Sequence, residues 1–134
     1  MRYFLTALVT ILVAACAASK ATPTAPPPIK ITGGVLVNLN RMTLYTYDRD
    51  VAGSGKSNCN GQCAFVWPPL QAGDYAEPSG DYDISTREGG ERQWTYKGKP
   101  LYRFSGDAGP DQNTRNGMNG VWHFATPRST SAEL

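Results

Sequence analysis

The sequence contains a single histidine, His123, and this scarcity narrows the chemistry that the chain can perform. A serine hydrolase places a histidine beside a nucleophilic serine, and the sequence has no Gly-x-Ser-x-Gly elbow that would present one. The chain also has no large excess of either charge, because its 13 basic and 11 acidic side chains are interspersed along the sequence. We therefore expect a protein that is not an enzyme, and the absence of a basic face predicts no nucleic-acid partner.

Long apolar runs are equally scarce. The N-terminal run covers residues 3–13, and a membrane-spanning helix needs ~20 apolar residues. The run leads into Val-Ala-Ala followed by Cys16, which is a lipobox whose thiol is diacylated before cleavage. We predict a lipoprotein signal peptide over residues 1–15 and a membrane anchor on Cys16, which becomes the first residue of the mature protein. An ordinary signal peptide cut near Ala18 is the alternative.

The rest of the chain divides by composition into a tether and two repeats. Residues 16–29 carry the lipidated cysteine and a Pro/Ala-rich stretch that cannot bury apolar area, so we expect a disordered tether. Repeat 1 is predicted over residues 30–72, a connector over 73–91 and repeat 2 over 92–127. Residues 128–134 are expected to form a flexible tail. No Asp directly follows Cys16, so in a Gram-negative cell we expect an outer-membrane lipoprotein that faces the periplasm.

Strand signals dominate the two repeats. β-Branched and aromatic residues at 34–38 and 42–47 predict one hairpin, and residues 93–96 and 100–104 predict a second. Residues 82–86 are expected to pair with the first arm of the second hairpin. With 14 glycines and 10 prolines, the chain is typical of an all-β fold. We predict a single small antiparallel β domain, sandwich-like or barrel-like, built from two tandem hairpin repeats.

One signature occurs twice: a tyrosine, any residue, an aromatic residue, two further residues and an aspartate. The copies consist of Tyr45, Tyr47 and Asp50 and of Tyr102, Phe104 and Asp107. A Gly/Asn-rich loop and then a tryptophan, Trp67 or Trp122, follow each copy. This pattern resembles a family of bacterial secreted-repeat lipoproteins of unassigned biochemical role. The resemblance implies an exported, lipid-anchored repeat domain and carries no catalytic residues onto this chain.

The alternation of side chains along a strand suggests what the signature does. Tyr45 and Tyr47 should share one face, while Leu44 faces the other way. We expect the aromatics to pack between the repeats and the two motif aspartates to fix turns by accepting backbone N–H groups. The alternative is an exposed ligand site of aromatics and carboxylates, as in glycan recognition.

Cys59 and Cys63 form an even pair once Cys16 is lipidated, and an exported protein meets oxidising conditions. A disulfide across this short loop is the prediction. The alternative is a soft-metal site in which both thiols, His123 and Met118 bind Cu(I), although no cofactor is the first expectation.

The remaining candidates depend on carboxylates. Asp81 and Asp83 flank Tyr82 and suggest a hydrolase acting on envelope glycans, while the oxygen-rich residues 107–119 suggest a calcium loop. We rank both below a lipid-anchored, non-enzymatic binding or structural module whose envelope partner is unknown. A copper-handling or electron-transfer accessory protein is the second hypothesis, and the glycan hydrolase is the third.

Overall fold

The structure is a computed structural model that describes residues 9–14, 26–112 and 115–127. Antiparallel strands form most of its regular structure. The elements are β1 (Ile29–Thr32), β2 (Val35–Asn38), β3 (Tyr45–Tyr47), α1 (Gln62–Val66), β4 (Tyr82–Thr86), β5 (Arg92–Tyr96), β6 (Lys99–Pro100) and β7 (Trp122–Phe124). The prediction of a small all-β domain is confirmed. The predicted lipidation site Cys16 and the predicted tail over residues 128–134 lie outside the described residues.

The first predicted hairpin forms as the sequence suggests. β2 leads into a pairing of Val37 with Thr43, and Asn38 closes the turn by accepting the backbone N–H groups of Asn40 and Met42 through Oδ1 at 3.0 and 2.9 Å. β1 is an additional strand that pairs with β2. Its first residue, Ile29, lies in the segment predicted as tether. The sequence did not predict this strand, because the Pro-rich residues before it obscure the strand signal.

The second hairpin joins β5 to β6 through a two-residue turn. Lys97 and Gly98 have φ values of 48° and 82°, the positive values that such a turn requires. A side chain at Gly98 would place a Cβ 2.6 Å from the backbone nitrogen of Gly53, whose N–H donates to Gly98 O at 2.9 Å. The loop after β3 therefore rests directly on this turn.

Each repeat ends in a segment that begins at its tryptophan, Trp67 or Trp122, hereafter its closing segment. This segment pairs with the residues of the other repeat that carry the signature, hereafter the motif strand. β7, in the second repeat, pairs with β3 in the first. The corresponding segment of the first repeat pairs with the second motif strand, through Leu70 N–H to Leu101 O at 2.9 Å and Arg103 N–H to Pro68 O at 2.8 Å. The repeats consequently interlock in one domain, and neither contains all the strands that flank its own motif.

Two buried clusters lie on opposite sides of the motif strands. One cluster is mainly aliphatic and contains Leu36, Leu44, Leu70, Ala72, Trp94, Leu101 and Ala125. The other, hereafter the aromatic cluster, contains Tyr45, Tyr47, Cys59, Trp67, Tyr102 and Trp122. The alternation along each motif strand sends leucine into the first cluster and tyrosine into the second. The predicted division of the two faces is thus observed.

Helical structure is minor in the described part of the chain. α1 has five residues and begins within the loop that Cys59 and Cys63 close. No helix in the described ranges is both long and apolar enough to span a membrane.

Candidate functional site

The two copies of the signature meet at the centre of the domain. Tyr45 and Tyr102 exchange both backbone hydrogen bonds, with N–H to O distances of 2.8 and 2.9 Å. Both residues are fully buried. The second repeat thus supplies the antiparallel partner of the first at the same motif position.

The side chains of these two tyrosines also cross between the repeats. The Tyr45 hydroxyl donates to Asp107 Oδ2 at 2.8 Å, and the Tyr102 hydroxyl donates to Asp50 Oδ2 at 2.5 Å. The first tyrosine of each copy, hereafter the motif tyrosine, is therefore bound to the motif aspartate of the other repeat. The spacing of the signature places the aspartate of one repeat within hydrogen-bond distance of the tyrosine hydroxyl of the other repeat. The pattern therefore has a physical cause only when both repeats are present.

Asp50 has the fuller set of partners. Its Oδ1 accepts the backbone N–H of Asn58 at 2.7 Å, and Ser57 Oγ lies 2.6 Å from the Tyr102 hydroxyl. Burial raises the pKa of Asp50 above its usual value, and the hydrogen bonds from Tyr102 and Asn58 and the nearby Arg87 charge oppose that rise. The role predicted for this aspartate, fixing a turn through a backbone N–H, is what the structure shows.

Asp107 differs from Asp50. Its Oδ1 is buried and has no hydrogen-bond partner among the described residues, and its Oδ2 accepts from a side chain instead of a backbone N–H. Burial raises the pKa of Asp107, while the Tyr45 hydrogen bond and the Arg115 charge oppose the rise. The turn-fixing role expected for this second aspartate is wrong, because the carboxylate is used between the repeats.

The aromatic residues around these pairs form a continuous stack. Trp67 and Trp122 stack at 3.9 Å between ring centroids with an interplanar angle of 6°, and Tyr47 stacks on Trp122 at 4.3 Å. These rings are buried between the repeats. The alternative of a glycan site made from exposed motif aromatics is therefore wrong.

The predicted disulfide is confirmed, since Cys59 and Cys63 are bonded with their Cα atoms 5.2 Å apart. Arg87 fastens this loop to the second repeat. Its guanidinium donates to the Cys59 carbonyl oxygen at 2.5 Å, to Ser57 Oγ at 2.9 Å and to Gln93 Oε1 at 2.8 Å. The cysteine loop is thus part of the same buried polar network that holds Asp50.

The four proposed copper ligands are not assembled in this state. Cys59 and Cys63 carry no thiol in the disulfide, and Met118 packs against the aromatic cluster. His123 lies between Trp122 and Phe124 on β7 and bonds Asp48 instead. No cluster of three or more His, Cys, Asp or Glu side chains suited to a metal ion occurs within residues 9–14, 26–112 and 115–127.

Asp107, the first carboxylate of the calcium hypothesis, is buried, whereas Asp111 and the two carboxylates of the glycan hydrolase hypothesis are exposed. Asp81 and Asp83 lie on the surface at the start of β4, where Asp83 Oδ1 accepts the N–H of Ile84 at 2.7 Å. Asp111 forms an exposed ion pair with Arg41 at 3.6 Å. Asn113, in the same stretch, lies outside the described residues.

A groove lies on the face of the β3–β7 sheet that is turned away from the aromatic cluster. Because side chains alternate along a strand, Thr46 and Asp48 point away from the face that Tyr45 and Tyr47 bury. The groove measures about 640 Å³. It is lined by Thr46, Asp48, Ala52, Tyr96, Lys97, Lys99, Asn116, His123, Phe124, Ala125 and Thr126.

A histidine–aspartate pair lies in the lining of the groove. His123 Nε2 lies 2.8 Å from Asp48 Oδ2, and both side chains are about two-fifths exposed, at 41% and 43%. The backbone positions them, since His123 is opposite Thr46 in the register and the Asp48 N–H donates to Val121 O at 2.8 Å. The pair is therefore held at the open edge of the sheet, where a ligand can reach it.

The second repeat supplies the opposite wall through the β5–β6 turn. Lys97 Nζ donates to Pro127 O at 2.7 Å, and the Tyr96 hydroxyl donates to the same oxygen at 3.2 Å. The contact of Gly98 with Gly53 holds this turn against the loop that carries Ala52. The groove consequently lies at the junction of the two repeats.

Two groove residues were predicted to have other roles, His123 as a copper ligand and Asn116 as part of the calcium loop. Asp48, Lys97 and Lys99 were missed because each is an ordinary surface residue when considered alone. Aligning the two repeats could have indicated Asp48 and His123, because they occupy positions at which the repeats differ. Asp48 corresponds to Ser105 by motif alignment, and His123 corresponds to Pro68 by the alignment of the two tryptophans.

Comparison with known families agrees with this repeat architecture. A family model described as a secreted repeat of unknown function matches residues 30–71 and 83–126. No curated protein and no solved structure matches the chain significantly. Because the family model covers more than half of the sequence, the chain belongs to this secreted-repeat family.

Proposed function

We propose that this member of the secreted-repeat family is a lipid-anchored, non-enzymatic binding module of the bacterial cell envelope. The lipobox before Cys16 supports the anchor, and the Pro/Ala-rich residues 16–29 suit a tether between the membrane and the domain. Membership of a secreted-repeat family supports export.

The observation that carries the proposal is the reciprocal bonding of the two motif tyrosines to the two motif aspartates. A catalytic carboxylate must reach a substrate, yet Asp50 and Asp107 are buried and each is bound by a tyrosine hydroxyl. The motif that defines the repeats therefore supports the fold. We therefore assign the function to exposed residues that occur in one repeat and not in the other.

The groove is the surface best suited to such a function. Ligand sites in proteins are concave, with volumes of roughly 300–1,000 Å³ and a few convergent polar groups. The His123–Asp48 pair could act as a general base, but no serine or cysteine lines the groove among the described residues. The aliphatic hydroxyls in the described lining are those of Thr46 and Thr126, and Asp48 is its one carboxylate. We therefore assign recognition to the groove in this proposal and not catalysis.

The anchor is tested by metabolic labelling with an alkyne fatty acid. Cys16→Ala should abolish incorporation of the label and leave an unprocessed precursor, because the acylated thiol is missing. Ser19→Ala serves as the matched control and should be labelled like the wild type. Labelling of Cys16→Ala, or an unlabelled wild-type chain, would remove the anchor from the proposal.

The binding role is tested by co-sedimentation of the mature chain with purified cell-envelope fractions. Ala52 lines the groove and is exposed, so Ala52→Trp should obstruct the groove and strongly reduce sedimentation without a change of charge. Ala108→Trp, at an exposed position outside the groove lining, is the control. Equal sedimentation of the two variants would contradict the use of the groove, and no sedimentation of the wild type would contradict envelope binding.

A further inference from the structure

We propose that the groove is a binding site for an oxyanion, the carboxylate or phosphate group of a polar organic ligand. This inference rests on the proposed function and specifies the ligand class of the same site. The charges, the free hydrogen-bond donors and the shape of the groove all suit such a ligand.

Positive charge exceeds negative charge in the groove. Lys97 and Lys99 supply two ammonium groups, whereas Asp48 supplies the only carboxylate among the lining residues. That carboxylate is already engaged by His123 at 2.8 Å. The Lys99 ammonium group makes no hydrogen bond or ion pair within 26–112 and 115–127, although its charge acts on the buried Asp50 carboxylate, which does not line the groove. An anionic ligand would meet the ammonium groups of both lysines.

Hydrogen-bond donors also exceed acceptors. Asn116 Oδ1 accepts the backbone N–H of Phe124 at 3.0 Å, so the amide nitrogen of Asn116 keeps its two donors for a ligand. Lys97 Nζ uses one of its three donors on Pro127 O. A ligand that fits this set must present several acceptors, which is the property of a carboxylate or phosphate group.

The shape of the groove indicates that the anion belongs to a larger molecule. Phe124 and the buried Ala125 add apolar surface to the lining, and the volume of about 640 Å³ exceeds that of an isolated carboxylate or phosphate ion. Such a site accommodates one or two sugar units or a small organic acid. Free acids and charged envelope glycans share this chemistry, and the experiment separates them.

The test is an NMR titration of the ¹⁵N-labelled mature chain, carrying its lipid in detergent micelles at low ionic strength. Glucuronate, glucose, inorganic phosphate and a short oligogalacturonate are the four probes. We expect saturable shifts at the amides of Thr46, Lys99 and Asn116 with glucuronate and phosphate, and no such shifts with glucose. Tighter binding of the oligomer than of glucuronate would identify a glycan as the source, and equal affinity would identify a free acid.

Charge variants provide the decisive control. Lys99→Gln should weaken glucuronate binding by about tenfold or more, because a hydrogen bond between charged groups is lost. Lys30→Gln removes an exposed lysine of β1 that does not line the groove and should leave the affinity unchanged. Equal affinities of these two variants, or equal shifts with glucose and glucuronate, would overturn the proposal.

The outcome is separable from that of the proposed function. Envelope sedimentation that depends on the groove, together with no response to either anion, would leave a binding module and refute the oxyanion site. Saturable anion binding in the groove by a chain that does not sediment with envelopes would retain the oxyanion site and refute the envelope role.

Discussion

The two faces of the β3–β7 sheet differ in how closely they follow the repeat. On the inner face, residues of one repeat have counterparts of the same kind in the other, as Tyr45 has in Tyr102 and Trp67 has in Trp122. These four residues are buried in one aromatic cluster. The inner face is therefore the place where the duplication is preserved.

The outer face does not preserve the duplication. The positions that correspond to Asp48 and His123 are Ser105 and Pro68, which cannot form the same pair. A proline at the second position also has no side-chain donor. Residues common to the two repeats therefore hold the domain together, while the groove depends on residues that are present in one repeat only.

Separating the repeats should have the largest effect. A chain ending at residue 72 retains the first motif strand but loses β7 and the Tyr102 partner of Tyr45. We expect no cooperative unfolding transition by circular dichroism, because each fragment retains only part of the two buried clusters that the repeats build together. A matched fragment of residues 73–127 should behave in the same way. Cooperative melting of either fragment would contradict the interlocked arrangement.

Removal of the motif carboxylates should have the next largest effect, and the two sites should differ. Asp50→Ala leaves the Asn58 N–H and the Tyr102 hydroxyl without this acceptor, and we expect it to cost about 3 kcal/mol of the free energy of unfolding. Asp107→Ala removes one hydrogen bond together with a buried unpaired oxygen, so its cost should be about 1 kcal/mol. Urea unfolding followed by tryptophan fluorescence measures both, and equal costs would refute the difference between the sites.

The disulfide should have a smaller effect on stability than Asp50→Ala. It closes a short loop, with a sequence separation of 4, and the chain-entropy model then assigns it about 2 kcal/mol. The double substitution of Cys59 and Cys63 by serine should lower the urea midpoint accordingly. An unchanged midpoint in the double variant would show that Arg87 alone holds the loop in place.

The reduced protein also tests the copper hypothesis. His123 is bonded to Asp48 and lines the groove, whereas Cys59 belongs to the aromatic cluster and Cys63 and Met118 pack against that cluster. We therefore expect no stoichiometric Cu(I) uptake by native mass spectrometry under mild reduction. Uptake of one copper that is lost in His123→Ala would support copper handling instead.

Alkaline pH should weaken the inner face gradually. Burial and the hydrogen bond to the partner aspartate raise the pKa of Tyr45 and Tyr102 far above the ordinary value of 10.0. The folded tyrosines keep their protons when the unfolded ones ionise, so stability is fully present below pH 10 and falls as the pH rises further. Each tyrosine contributes a slope of at most about 1.4 kcal/mol per pH unit.

Urea midpoints between pH 9 and pH 11 measure that slope. Tyr102→Phe should be less stable than the wild type at neutral pH but should lose stability less steeply above pH 10. An identical slope in this variant would show that the buried tyrosine is not the titrating group.

The sequence could predict the features that depend on local chemistry. Turn residues such as Gly98 identified the second hairpin, and the short cysteine spacing in an exported chain identified the disulfide. The pairing of each closing segment with the other repeat was not predictable. The pattern around Leu70 predicts a buried strand, but it does not indicate which strand pairs with it. The groove was missed for a similar reason, since the contact of Asp48 with His123 joins residues far apart in the chain.

The most direct test compares Tyr45→Phe with Ala52→Trp in thermal unfolding and in envelope co-sedimentation. Tyr45→Phe should lower the Tm by about 4–8 °C, as expected for the loss of roughly 1 kcal/mol, and should bind envelopes normally while folded. Ala52→Trp, at an exposed position in the groove lining, should keep the Tm and lose binding. Loss of binding by folded Tyr45→Phe, or wild-type binding by Ala52→Trp, would contradict the division between a structural motif and a functional groove.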